Sequence, residues 1–144
     1  MERYEAVEDE GSHLASVLVV SIDGLGNGLA AAADAAERQA LMGFLLQAYL
    51  WDTREFGLGV DERVREALLS HATAEERHLL SGWAWEAMPA GATAFDVYVR
   101  RAVGRLMLDL DGETLPDPLY LSLCREAALW GDMVARLLDR GRLE

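Results

Sequence analysis

Apolar residues recur at intervals of three and four along most of this chain, and the intervals break at a few points rich in glycine or proline. The cleanest stretch opens at Thr93. Phe95, Tyr98, Val99, Ala102, Val103, Leu106 and Leu110 share one helical face, and Asp96 stands in the first turn, where a carboxylate is favoured. A longer helix is predicted from Leu29 to about Arg54, ending before Gly57 and Gly59. Leu41, Phe44, Leu45 and Ala48 make one face of it, while Met42, Leu46 and Tyr49 cover another, so it is expected at the centre of a bundle. Asp61 caps a short helix carrying Val64, Ala67, Leu68 and His71. Thr73 and Glu76 then have capping-box spacing, and the helix they start runs through Leu79, Leu80, Trp83 and Ala87 to Pro89. A last helix follows Asp117-Pro118 and carries Tyr120, Leu123, Cys124, Ala127, Val134, Leu137 and Leu138 to Gly141.

The start of the chain is less regular. Residues 1–12 are polar and acidic and are expected to form a flexible arm. His13–Asp23 is apolar and rich in β-branched residues, so strand and helix remain open, and Gly24-Leu-Gly-Asn-Gly28 is expected to be a loop. The pattern as a whole predicts an all-α fold: one domain over 13–144, a bundle of about five helices, behind the acidic arm.

Composition narrows the setting. The 144 residues suffice for one core, and 51% hydrophobic with 26% charged residues is globular rather than disordered. Cys124 is the one cysteine, which excludes an internal disulfide and a cysteine-based zinc site and suits a reducing cytoplasm. An acidic N-terminus and an apolar run taken to end before Gly24 argue against a signal peptide and a membrane span. The net charge of -12, from 25 acidic and 13 basic residues, disfavours nucleic acid.

Four constellations carry chemistry on paper. Gly26, Gly28 and Ala31 satisfy a G-x-G-x-x-A dinucleotide fingerprint after an apolar segment, with Gly24 beside them; the second strand and acidic residue that this fold requires have no counterpart downstream. The same stretch, Val19-Val-Ser-Ile-Asp-Gly-Leu-Gly-Asn-Gly28, resembles the metal-binding Asp-Gly segment of the manganese- or magnesium-dependent serine/threonine phosphatases of bacterial stress response and sporulation. That resemblance implies Asp23 as a metal ligand, helped by the Gly24 carbonyl. It covers about a dozen residues, and the later aspartates of the family find no place in the chain. Glu75 and His78 have the Glu-x-x-His spacing of di-iron bundles, which need a second such pair and two further glutamates; the other Glu-x-x-His, Glu10 to His13, lies in the polar arm, and the long helix offers Glu37 alone. Arg100, Arg101 and Arg105 are expected on one exposed helix side, suited to a phosphate or an acidic partner. Trp83 and Trp85 stand about 200° apart on a helix, so one of them must leave the core and suits a contact with another chain.

With every catalytic set incomplete, the pattern favours a non-enzymatic interaction module without a cofactor. It reads as a small acidic helical subunit or adaptor of a larger prokaryotic complex, of the kind seen in immunity proteins, chaperones and accessory subunits. The expected partner is another protein of basic character, or a second copy of the chain. The alternative is a nucleotide- or metal-dependent enzyme, or a fragment of one, using Asp23–Gly28.

Overall fold

The computed structural model describes residues 2–55 and 57–141, with side-chain environments from His13 onward. Its regular structure is entirely α-helical among these residues: α1 Glu2–Ala31, α2 Ala35–Arg54, α3 Val60–His71, α4 Ala74–Glu86, α5 Ala94–Asp111, α6 Asp117–Glu126 and α7 Trp130–Asp139. Seven helices stand where about five were expected. They gather into two compact units, Met1–Thr73 and Ala74–Glu144. Of the acidic arm over 1–12, only helical backbone from Glu2 is described, so the expected flexibility and contacts of its side chains lie outside the described residues.

In the first unit α3 packs on both α1 and α2. Ile22 and Leu29 of α1, Met42, Leu45, Leu46 and Tyr49 of α2, and Val64 and Leu68 of α3 are buried. Each large aliphatic group removed from water in this way contributes about 1.5–3 kcal/mol. The α1–α2 boundary falls at 32–34, inside the alanine-rich stretch that was expected to start one long helix. Asp34 supplies the stop and restart, its carboxylate accepting the Glu37 N–H at 2.9 Å as the cap of α2. Arg38 then ties the helix ends together: its guanidinium donates to the carbonyls of Leu29 and Ala32 at the end of α1 and to that of His71 at the end of α3. These are carbonyls that a helix terminus leaves without internal partners.

Two further expectations in this unit are corrected. Gly24–Gly28 is not a loop but the interior of α1. Gly26 is buried there, because α3 passes so close that a Cβ at 26 would lie 3.1 Å from the Ala67 Cβ. The apolar helix α2 is not sheathed all round, since Phe44 and Trp51 are 66% and 51% exposed.

In the second unit α5 packs on α4 and α6, and α6 on α7. Thr93 and Asp96 form a reciprocal capping box at the start of α5, where the pattern placed a helix start and a first-turn carboxylate. Pro116 precedes α6, Asp117 is its first residue and Pro118 follows within the first turn. The helix expected to run from 117 to 140 is broken after α6. Leu129 N–H donates to Cys124 carbonyl at 2.8 Å and Ala128 N–H to Arg125 carbonyl at 3.2 Å, a Schellman-type ending with Ala128 at a φ of 53°. Glycine usually holds that left-handed position, so nothing in the local residues announced it. The turn is kept by packing: Gly104 of α5 lies directly beneath Ala127, whose Cβ would collide with any side chain at 104.

Candidate functional site

The glycine segment was the most motif-like feature of the chain, and α1 gives it another purpose. A phosphate cradle uses free backbone N–H groups at a helix N-terminus, whereas Gly24, Gly26 and Gly28 sit late in a 30-residue helix. Their backbone is committed to the helix, and the second strand of a dinucleotide fold is missing from the described residues. Asp23 is exposed. With Asn27 it lines an open polar cleft of ≈ 290 Å³ together with Arg63, Glu66 and His71 of α3. Among the described residues no group of three or more His, Cys, Asp or Glu side chains is arranged to hold a metal.

Glu75 and His78 share α4, and both are exposed. The residue that His78 meets is Asp111, at the end of α5: Nδ1 lies 2.6 Å from Oδ2, with the histidine side chain 77% exposed and the aspartate 5%. The second carboxylate oxygen of Asp111 accepts the Thr114 hydroxyl. This pair escaped the sequence analysis because the partners stand 33 residues apart. Asp111 also lines a cleft of ≈ 460 Å³ with Arg77, Asp109, Glu113 and Thr114.

The chain matches no family model, no curated protein and no solved structure.

The arginines of α5 divide. Arg101 is exposed, but Arg100 is turned onto the carbonyls of Pro89 and Gly91, and Arg105 donates to Asp132 of α7 at 2.6 Å. Two of the three therefore hold loop and helix in place, although Arg105, like Arg101, stays exposed. Trp85 is 45% exposed while Trp83 is half-buried, so the pair splits as the helical rotation demands. Cys124 is fully buried, and burial pushes its thiol up to about 11, with Asp132 adding to the effect and Arg105 opposing it. Such a thiol is a packing group rather than a nucleophile.

A second buried carboxylate, that of Asp52, also has no sign in the linear pattern. Asp52 is 2% exposed, and its carboxylate accepts the N–H groups of Leu58 at 2.6 Å, Val60 at 2.7 Å and Asp61 at 2.9 Å. It caps α3 from the end of α2, since the residue at the cap position, Gly59, has no side chain to do so. Asp61, expected to be that cap, is instead one of the donors. A lone aspartate in an apolar helix gives no local sign of such a role.

The largest departure concerns exposure. Because α1 continues through the glycines, His13–Ala31 is a 19-residue helix of mean hydropathy 1.5, long and apolar enough to cross a membrane, and 17% of it is buried. The apolar run thus continues past Gly24 to Ala31, longer than the expected segment His13–Asp23. Leu14, Val17 and Val20 on its outer side are 53%, 50% and 71% exposed. In the second unit α7 repeats the situation, with Trp130, Val134 and Leu138 each about half exposed.

Proposed function

We propose that this chain is a helical interaction module, an acidic subunit or adaptor that binds another protein through the outward face of α1. One observation carries the proposal: Leu14, Val17 and Val20 stand exposed on the His13–Ala31 part of α1, where Asp23 is the one acidic side chain and no lysine or arginine occurs. Contiguous exposed apolar surface on a folded protein marks a place for a partner. The net charge of -12 supports a basic partner, drawn in by long-range attraction and retained by apolar contact.

The test is a pair of charge substitutions, Val17→Glu and Val20→Glu, in the tagged chain recovered from its native host. Positions this exposed tolerate the change with stability altered by about 0.5 kcal/mol or less. A basic protein that co-purifies with the unsubstituted chain and is lost from the double variant supports the proposal. Equal recovery from both refutes it.

A second proposal rests on the same helix. The nineteen residues His13–Ala31 span about 28 Å, close to the hydrocarbon thickness of a bilayer, so this part of α1 has the dimensions of a membrane anchor. Flotation with neutral phosphatidylcholine vesicles separates the two: an anchor floats with the lipid, and a protein-binding face does not.

A further inference from the structure

The chain holds three histidines, and among the described residues His78 is the one shown with its ring against a buried carboxylate. Asp111 is held in turn, with Oδ2 on the imidazole and Oδ1 on the Thr114 hydroxyl. An ionised carboxylate only accepts hydrogen bonds, so Nδ1 of His78 carries the ring proton and the lone pair of the neutral imidazole is confined to Nε2. With the side chain 77% exposed, that lone pair is open to solvent. A carboxylate on Nδ1 fixes the tautomer and stabilises the imidazolium that forms when Nε2 attacks, which is how histidines in nucleophilic sites are prepared. The packing of α4 on α5 rests on the buried Leu80, Ala84, Val99 and Val103.

We infer that His78 is a nucleophilic imidazole, oriented by Asp111, that takes an acyl group from small neutral esters. Charge selects the donor. The cleft that Asp111 lines also carries Asp109 and Glu113 against Arg77, and Glu75 stands one turn before His78 on α4. Carboxylates outnumber the guanidinium there, so phosphoryl donors and carboxylate-bearing esters are repelled and neutral acyl groups are not. In the first step the Nε2 lone pair adds to the ester carbonyl carbon, and the carbon–oxygen bond to the leaving group breaks with its electron pair. The product is an acyl-imidazolium whose remaining proton stays on Nδ1 against Asp111. Water then adds to the acyl carbon, the carbon–nitrogen bond returns its electrons to Nε2, and a carboxylate and two protons leave. His78 is the catalytic residue in this sequence, and Asp111 positions it.

The experiment uses the full chain and p-nitrophenyl acetate, following release of p-nitrophenolate. His78→Gln lowers the second-order rate constant by about tenfold, while His13→Gln, at another exposed histidine, leaves it unchanged. An ester with a carboxylate on its acyl chain loses about tenfold relative to the neutral one, after each is divided by its rate with free imidazole. The ¹⁵N spectrum of His78 places the proton on Nδ1, and Asp111→Asn abolishes that preference along with the rate advantage, an effect that simple helix bracing does not predict. Both histidine substitutions lie at exposed positions, so loss of folding does not cloud the comparison. A His78→Gln variant as fast as the unsubstituted chain, or an equal loss in His13→Gln, overturns the inference.

Discussion

Gly26 of α1 lies against Ala67 of α3, so near that a methyl group on Gly26 would sit 3.1 Å from the Ala67 side chain. The contact explains one glycine of a conspicuous cluster by helix packing instead of ligand binding. Gly24, two residues earlier, is exposed and has nothing within 4 Å of where its Cβ would be.

The two glycines should therefore respond to alanine in opposite ways. Gly24→Ala removes backbone freedom from the unfolded chain at an unobstructed helical position and is expected to stabilise by about 0.5–1 kcal/mol. Gly26→Ala must push α1 from α3, and the strain is expected to cancel or exceed the same gain. Urea unfolding of both variants checks this. A loop needing left-handed backbone at Gly24 would instead make Gly24→Ala destabilising.

Asp52 satisfies three N–H groups at the start of α3 from within the body of the first unit. Asp52→Ala is expected to cost about 3 kcal/mol by leaving these donors without an acceptor, and Asp52→Asn, which keeps one accepting oxygen, roughly half as much. Asp61→Ala, at the position that local pattern marks as the cap, should change stability by no more than about 0.5 kcal/mol. Denaturant midpoints for the three variants decide between the two aspartates.

The capping box of α5 sets an acid limit. Hydrogen bonds from the Thr93 side chain and then its backbone, with Arg100 contributing, hold the Asp96 carboxyl below its ordinary value of 3.8. The folded state thus favours the ionised form. Its contribution to stability is complete above the ordinary carboxylate value and disappears as pH falls through the lowered one. The difference in thermal midpoint between the unsubstituted chain and Asp96→Asn should accordingly be constant near neutrality and shrink below pH 3.8.

Cys124 should be silent until the chain unfolds. With its thiol raised from 9.0 to about 11, the thiolate at pH 8 is about a hundredfold scarcer than in the open chain, and burial blocks reagents as well. A chromogenic disulfide is expected to react with it only after denaturant is added. Because the folded state keeps the proton more tightly, stability is unaffected below pH 9 and falls as pH rises toward 11. Reaction in native buffer at the rate of a free thiol would contradict the burial.

What the linear pattern reveals well is whatever neighbours decide among themselves. The buried stripe of α5 at Val99, Val103, Leu106 and Leu110, the burial of Cys124 and the divergence of Trp83 and Trp85 all follow from helical rotation, whereas Phe95 and Tyr98, expected on that stripe, stand 37% and 51% exposed. Glycine was the weak point of that logic. Its cost in a helix is only about 1 kcal/mol, which packing against Ala67 readily offsets, so a segment that looks like a loop stays helical. The break at Ala128 is the converse, a left-handed residue without glycine, maintained by the close passage of Gly104 under Ala127. The partnerships of Asp52 with α3 and of His78 with Asp111 join groups that only chain folding brings into contact. Periodicity assigns the helices because a helix is made by residues three and four apart. It leaves unsaid which helix faces stay in water, since exposure depends on how many neighbours the completed fold supplies.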